Sequence, residues 1–368
     1  MSQPSLNELL KQTSRSFYLT LRVLPRAIRP QIGLAYLLAR TTDTIADTEI
    51  VPVAQRLEAL QRLRERILGT SSVTLNFGEL ARQQGLPAER MLLERVEEAL
   101  AELRGLAEGD LKLVRNVLDT ITSGQELDLK RFGGWGETPG EPSPTNVAAR
   151  EDARPTCNQI IALQNDAELD DYTFRVAGCV GEFWTRMCLG HLFPTALLDE
   201  VRFLAEGIRF GKGLQLVNIL RDLPADLRSG RCYLPADKLA AIGLTPADLL
   251  SPANEAKFRP LYQRYLDLAE AHLAAGWDYT NTIPSGQVRV RLACAWPILI
   301  GLETLQRLRH EPVLDPARRV KISRAAVRRI LFQTLWRYPF RGSWRALAQF
   351  SQGGEPGKLL REGENSRK

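Results

Sequence analysis

The sequence contains few of the residues that mark disulfide-rich, secreted or zinc-binding proteins. Its 368 residues include only five cysteines and three histidines. The cysteines form no Cys-x-x-Cys pair, and their odd number argues against a disulfide framework and for a reducing compartment. The histidines lie far apart and match no zinc-binding spacing. Neither a disulfide-stapled fold nor a structural zinc site is expected.

Long hydrophobic runs are also absent. The chain begins MSQPSLNELLKQ, without the apolar segment of a signal peptide. The longest apolar run, residues 292–302, contains Pro297 and is shorter than the roughly 20 residues of a membrane-spanning helix. We therefore expect a soluble, cytoplasmic protein. These features do not distinguish a monomer from an oligomer.

Charged residues of both signs are present, with a formal net charge of +6. This balance suits anionic partners, which include diphosphates, acidic membrane surfaces and nucleic acid. No nucleic-acid-binding motif is visible, so we expect no nucleic-acid partner. Residues 318–345 hold many arginines, no acidic residue and apolar residues at helical spacing. This segment fits either a solvated basic face or a peripheral contact with a membrane.

Helical periodicity runs through most of the chain. Leucines recur at three-residue steps in residues 57–63, and residues 92–118, 261–273 and 288–308 follow a similar pattern. No stretch alternates between apolar and polar residues as a β-sheet would need. The sequence therefore predicts an all-α fold.

One change of composition interrupts the helical pattern. Residues 133–154 are rich in glycine, proline and serine, which predicts an exposed loop inside one helical domain spanning residues 1–350. A domain linker is the alternative, but the motifs on its two sides serve one chemistry. The polar residues 351–368 predict a disordered tail.

A polar stripe runs along a hydrophobic helix near the N-terminus. Tyr36, Arg40, Asp43 and Asp47 follow at steps of four, three and four residues, so they share one helix face. A lone pair of aspartates four residues apart is usually an exposed charge pair. The pair becomes informative because a second pair matches it.

The second stripe consists of Gln215, Asn218, Asp222 and Asp226, again at helical spacing. Leucine, valine and isoleucine occupy the other faces of this helix. Pro224 lies between the two aspartates, which predicts that the helix kinks or ends there.

Two matched aspartate pairs predict a site for divalent cations. Like charges four residues apart destabilise a helix by about 0.2–0.5 kcal/mol, and four carboxylates around one cavity repel unless cations neutralise them. Mg²⁺ prefers oxygen ligands and bridges carboxylates to phosphates. Such a site can hold a diphosphate and stabilise it as it leaves an allylic carbon.

Arginines and one tyrosine complete the pattern. Arg40 and Arg221 lie beside the aspartates and fit diphosphate oxygens, whereas Arg228 fits an ordinary surface. In residues 172–181, glycines three residues apart fit either close helix packing or the approach of a substrate chain. Tyr172 can shield a carbocation with its ring or handle a proton.

These segments resemble the squalene and phytoene synthase family, and within it the squalene synthases most. The residues that carry the resemblance are 14–17, 43–47, 172–181, 215–226 and 230–235, with a looser match at 294–297 and 320–322. The resemblance implies one all-α prenyl synthase domain with helices around a central cavity.

The resemblance also implies roles for individual residues. Metal binding falls to Asp43, Asp47, Asp222, Asp226 and Asn218. The four aspartates and Tyr172 are implied as catalytic. Contacts with substrate diphosphate are implied for Ser14, Arg15, Tyr36, Arg40, Gln215, Arg221 and Arg231. Contacts with NADPH are implied for Arg15, Arg40, Arg221 and Lys321.

Three positions depart from the family pattern. Ala46 and Ala225 stand where eukaryotic squalene synthases carry glutamate, which leaves the number of metal ligands open. Ser323 stands where those enzymes carry a basic residue, which weakens the NADPH assignment.

The implied reaction joins two farnesyl diphosphates head to head through presqualene diphosphate and reduces the product to squalene. Its implied cofactors are NADPH and Mg²⁺, with Mn²⁺ as an alternative ion. A phytoene, dehydrosqualene or presqualene diphosphate synthase is the alternative within the family. A non-catalytic helical assembly protein is the alternative outside it, which loss of an aspartate or of Tyr172 would favour; all are present.

Overall fold

The computed structural model describes residues 5–14, 17–133, 160–315 and 320–348, and these residues are helical almost throughout. The all-α prediction is confirmed. The first half contains α1 (Leu6–Thr13), α2 (Phe17–Val23), α3 (Arg29–Ala46), α4 (Val53–Leu68), α5 (Gly78–Arg82), α6 (Pro87–Glu94), α7 (Val96–Arg104) and α8 (Glu108–Phe132). The second half contains α9 (Asp166–Thr173), α10 (Cys179–His191), α11 (Glu200–Arg228), α12 (Ala236–Ala241), α13 (Glu255–Thr282), α14 (Val288–His310), α15 (Arg324–Arg337) and α16 (Arg341–Arg345).

Several of the sequence predictions concern residues outside these ranges. Arg15, the tail at 351–368 and nearly all of the predicted loop at 133–154 lie outside the described residues. Within the described ranges, no helix is both long and apolar enough to cross a bilayer. The pattern at residues 92–118 is divided among α6, α7 and α8, and α7 ends where Gly105 weakens the helix.

Helix α11 continues through Pro224 to Arg228, so the prediction that it ends at this proline is wrong. A proline inside a helix removes one hydrogen bond and costs about 3 kcal/mol. Leu220, Leu223 and Leu227 are all buried on the same helix. The burial of each leucine contributes about 1.5–3 kcal/mol. Together they offset the cost of the proline, so Asp222 and Asp226 stay on one helical segment.

Two hydrophobic clusters form the core. One joins α1–α8 to α10, and the other surrounds α11, α13 and α14. Helix α11 packs against α10, α13 and α14, while α8 packs against α3, α4 and α10. The helices that carry the two aspartate pairs are therefore anchored in different parts of the core.

A short parallel β pair lies beside the end of α11. Strand β1 (Ile161–Ala162) pairs with β2 (Arg231–Cys232). Between α11 and β2 the chain reverses at Gly230, whose φ of 74° is readily adopted only by glycine. This turn directs Arg231 back toward α3 and α8.

The chain between α9 and α10 is a π-helical segment, Phe174–Gly178. Such segments often occur at functional sites. On α10, a Cβ added to Gly181 would lie 2.0 Å from the carbonyl oxygen of Gly207 on α11. Close packing of α10 against α11 therefore accounts for Gly181, as the helix-packing interpretation predicts.

Candidate active site

A polar cavity of about 390 Å³ lies between α3, α8, α9 and β2. Its polar and aromatic lining includes Asp43, Asp47, Glu49, Arg56, Gln125, Asp128, Tyr172, Arg231 and Tyr233. The first aspartate pair and the predicted tyrosine thus share one cavity. Asp222 and Asp226 are not among its lining residues.

The first aspartate pair lies at the C-terminal end of α3. Gln125 Nε2 donates a 2.5 Å hydrogen bond to Asp43 Oδ1, and Arg40 Nη1 lies 3.8 Å from Asp43 Oδ2. Desolvation, followed by the Asp47 charge, raises the pKa of Asp43 to about 6. Desolvation also raises the pKa of Asp47. Both carboxyls would be stabilised as anions by a cation.

The second aspartate pair lies beside Arg221 on α11. Arg221 makes two hydrogen bonds to Asp222, at 3.0 Å and 2.5 Å. Desolvation, followed by the Asp222 charge, raises the pKa of Asp226 to about 7. The neighbouring arginine therefore does not fully neutralise this pair.

Arg231 and Asp128 connect the two pairs electrostatically. The Arg231 guanidinium lowers the pKa of both Asp47 and Asp226, against the larger effect of desolvation. Asp128 raises the pKa of Asp226 and is itself affected by Asp47. These two residues line the cavity, so the charge of Asp226 on α11 is linked to the cavity that Asp43 and Asp47 line.

The donor chemistry fits Mg²⁺ or Mn²⁺. In the described parts of the chain, no three His, Cys, Asp or Glu side chains lie close enough together to form a metal-binding group. Mg²⁺ usually takes only one or two carboxylates and completes its shell with water and phosphate oxygens. The two aspartate pairs offer carboxylate oxygens of this kind, and the pKa values of Asp43, Asp47 and Asp226 are raised.

Asp128 and Tyr233 are functional candidates that the sequence patterns did not reveal. Tyr233 Oη donates a 2.8 Å hydrogen bond to Asp128 Oδ2, and its ring stacks on Tyr172 with 4.6 Å between centroids. Desolvation raises the pKa of Asp128 to about 6. Gln125 and Asp128 are polar residues on the buried side of α8, and that position was the available signal.

Tyr172 lies on the cavity wall. Desolvation, followed by the Asp128 charge, raises the pKa of Tyr172 well above that of an exposed tyrosine. Gln215 forms a hydrogen bond with the phenol, which has the opposite effect. Gln215 therefore joins the site through Tyr172.

Other predicted residues lie outside the cavity lining. Arg40 Nη2 donates a 2.5 Å hydrogen bond to Glu89 on α6. The buried Ser14 hydroxyl donates a hydrogen bond to the Leu10 carbonyl in the last turn of α1. Carbonyls in the last turn of a helix often need such a donor. Asn218 is exposed on α11. Lys321 is also exposed, and its carbonyl accepts a hydrogen bond from Arg307.

Tyr36 lines a second, apolar cavity of about 80 Å³ between α3, α8 and α10. The other walls include Ile32, Ile121, Phe183 and Trp184. Because α3 and α8 line both cavities, the apolar one lies further along the same helices from the acidic end.

Known proteins with similar sequences include two prenyl-transferring enzymes. A presqualene diphosphate synthase from Rhodopseudomonas palustris is 28% identical over 321 residues, which cover 86% of this chain and 92% of that protein. A phytoene synthase from Arthrospira platensis is 27% identical over 281 residues, covering 73% and 74% of the two chains.

A solved structure and a family model also match this chain. The structure of TcSQS with the ligand BPH1237 aligns with a TM-score of 0.69 at 20% identity, covering 97% of this chain and 94% of that one. This likeness establishes the fold. The family model described as squalene/phytoene synthase matches residues 10–326. The chain therefore belongs to the squalene/phytoene synthase family, whose members condense prenyl diphosphates head to head.

Proposed function

We propose that this protein joins two farnesyl diphosphates head to head and forms presqualene diphosphate, with Mg²⁺ or Mn²⁺ as the required ion. The observation that carries the proposal is the polar cavity lined by Asp43, Asp47 and Tyr172, whose lining residues Arg231 and Asp128 also act electrostatically on Asp226. The presqualene diphosphate synthase relative, which aligns over most of both chains, supports the same first product.

The acidic end of the cavity suits the diphosphate groups. Asp43 and Asp47 would hold one set of cations, and Asp222 and Asp226 a second set. Bound cations supply charge that stabilises pyrophosphate as a leaving group. Arg231 adds a buried Nε–H that has no hydrogen-bond acceptor among the described residues. A buried donor of this kind suits a phosphate oxygen.

The separate apolar cavity suits part of a prenyl chain. Ile32 and Asp43 lie eleven residues apart on α3, which is about 16 Å along the helix axis. Ile32 lines the apolar cavity and Asp43 the polar one. A substrate with a charged head and a long hydrocarbon tail fits this gradient.

In the proposed reaction, the C1–O bond of one farnesyl diphosphate breaks and pyrophosphate leaves with the bonding electrons. The double bond of the second molecule attacks the allylic cation, and loss of one proton closes a cyclopropane ring. The products are presqualene diphosphate, pyrophosphate and a proton. Tyr172, Tyr233 and Phe132 form an aromatic wall at this site, which excludes water and faces the cation with ring electrons.

Reduction of presqualene diphosphate to squalene with NADPH is the second candidate. The sequence matches at residues 294–297 and 320–322 favour it. Lys321, the residue that the resemblance assigns to NADPH, is exposed and outside the cavity lining. For this reason we rank the formation of squalene below that of presqualene diphosphate as the proposed function.

Product analysis tests both candidates. The purified protein is incubated with farnesyl or geranylgeranyl diphosphate and Mg²⁺, with and without NADPH. Presqualene diphosphate in both conditions supports the proposal, and squalene that forms only with NADPH supports the second candidate. Phytoene or dehydrosqualene would assign the chain to those activities. No product from the wild type under any condition would favour a non-catalytic assembly protein.

A further inference from the structure

An exposed aromatic surface lies on the outer side of α15 and the turn that follows it. Phe332, Leu335, Trp336 and Phe340 expose 68%, 55%, 70% and 60% of their surface. Phe332 and Trp336 are one helical turn apart, and their rings stack with 6.4 Å between centroids. Single exposed apolar residues are common, whereas a cluster of large ones marks an interaction site.

The opposite side of α15 is firmly attached to the core. Ile330 and Thr334 are buried, and Trp296 on α14 donates a 2.9 Å hydrogen bond to Thr334 Oγ1. The Tyr338 hydroxyl, just after the helix, donates to the Ser285 carbonyl at 2.6 Å. The aromatic residues therefore point outward from a helix that is fixed in place.

The charge of this part of the chain is entirely positive. Residues 320–348 contain one lysine and six arginines and no aspartate or glutamate. Arg324, Arg328, Arg341 and Arg345 are exposed. Arg329 is also exposed and forms a 3.1 Å ion pair with Glu303 of α14. An anionic partner would meet several cations around the aromatic residues.

We propose that this surface docks on a membrane containing anionic lipids. We define it by Arg324, Arg328, Phe332, Leu335, Trp336, Phe340 and Arg341. Aromatic rings enter the boundary between headgroups and acyl chains, while arginines contact lipid phosphates. The proposal is independent of the reaction product. It gives a membrane location to an enzyme whose proposed substrates carry long hydrocarbon chains.

Vesicle sedimentation of the full-length protein tests the proposal. Phosphatidylcholine vesicles with phosphatidylglycerol should bind the protein, vesicles of phosphatidylcholine alone should bind it weakly, and added salt should release it. Phe332→Ser and Trp336→Ser should each weaken binding about tenfold. Replacing Arg328 and Arg341 with glutamine should reduce binding to the anionic vesicles only.

Two variants at exposed apolar residues elsewhere serve as controls. Val201 and Leu197 expose 80% and 102% of their surface, so Val201→Ser and Leu197→Ser should bind vesicles like the wild type. Thermal melting confirms that each variant is folded. Absence of wild-type binding, or equal loss in the controls, would overturn the proposal. So would self-association that Trp336→Ser abolishes, because the surface would then join two copies of this chain.

Discussion

The Tyr233 hydroxyl donates a 2.8 Å hydrogen bond to Asp128, and the Tyr233 ring stacks on Tyr172. This contact joins residues 105 positions apart in the chain. Desolvation and the Asp128 charge raise the pKa of Tyr172, so its phenol stays protonated at neutral pH. Tyr172 is therefore suited to act as a neutral donor and an aromatic surface, not as a phenolate base.

We predict that Tyr233→Phe lowers kcat by about 10²-fold, within the range for groups that position or transfer a proton. The change keeps the aromatic ring but leaves the Asp128 carboxylate without its donor. Loss of one hydrogen bond to a charged group should lower the free energy of unfolding by about 1.5–3 kcal/mol. Steady-state kinetics and urea unfolding measure the two effects.

Tyr265→Phe is the matched control for this prediction. The Tyr265 hydroxyl donates a 2.7 Å hydrogen bond to Asp166, and neither residue lines the polar cavity. This variant should lose less free energy of unfolding, because Asp166 is partly exposed and also lies near Lys238 and Arg264, and it should keep its kcat. An equal loss of kcat in both variants would contradict a special role for Tyr233.

The sequence predicted the helices and the aspartate pairs because both have a local period. Asp43 and Asp47 share a face by helical spacing alone, and the cavity contains both. Asp128 and Tyr233 could not be predicted, because their importance arises from a contact between α8 and the chain after β2. The resemblance implies a phosphate contact for Ser14, and in the structure its hydroxyl donates to the Leu10 carbonyl at the end of α1. A sequence pattern does not show which backbone carbonyl a serine hydroxyl will reach, because that depends on the folded chain.

Asp43→Asn and Asp222→Asn should each reduce turnover by at least about 10²-fold, because each removes a charge that holds a cation. The fold should persist. Mg²⁺ with pyrophosphate should raise the Tm of the wild type through linkage, and each variant should lose most of that shift. Asp119→Asn is the control, since Asp119 pairs with Arg64 on a different side of α8. A full Tm shift in Asp43→Asn would contradict the metal assignment.

Asp226 should make metal-free stability depend on pH. Its pKa is about 7 in the folded protein, against a reference value of 3.8. Between about pH 4 and pH 7 the folded state binds a proton that the unfolded state releases, so stability falls as the pH rises through this window. Asp226→Asn should match the wild type at pH 4 and melt roughly 2–4 °C higher at pH 8. Thermal melting of both proteins across this range checks the sign, and a Tm of Asp226→Asn below that of the wild type at pH 8 would contradict the prediction.

The apolar cavity should limit the length of the substrate chain. Trp184 and Phe183 form one wall of its roughly 80 Å³. Trp184→Ala should enlarge this cavity and raise kcat/KM for geranylgeranyl relative to farnesyl diphosphate by about tenfold, the scale of hydrophobic discrimination. Phe193→Ala is the control, because Phe193 is buried but lines neither cavity. An unchanged ratio in Trp184→Ala would place the prenyl chain elsewhere.

Two glycines on α10 should respond in opposite ways to alanine. A Cβ at Gly181 would lie 2.0 Å from the Gly207 carbonyl oxygen, whereas a Cβ at Gly190 would have no atom of the described residues within 4 Å. Gly181→Ala must therefore push α10 away from α11 and should cost about 1–3 kcal/mol of unfolding free energy. Gly190→Ala should instead stabilise the helix by up to about 1 kcal/mol. Urea unfolding of both variants measures the difference, and a neutral Gly181→Ala would contradict the close packing that sets the position of α11 and its aspartates.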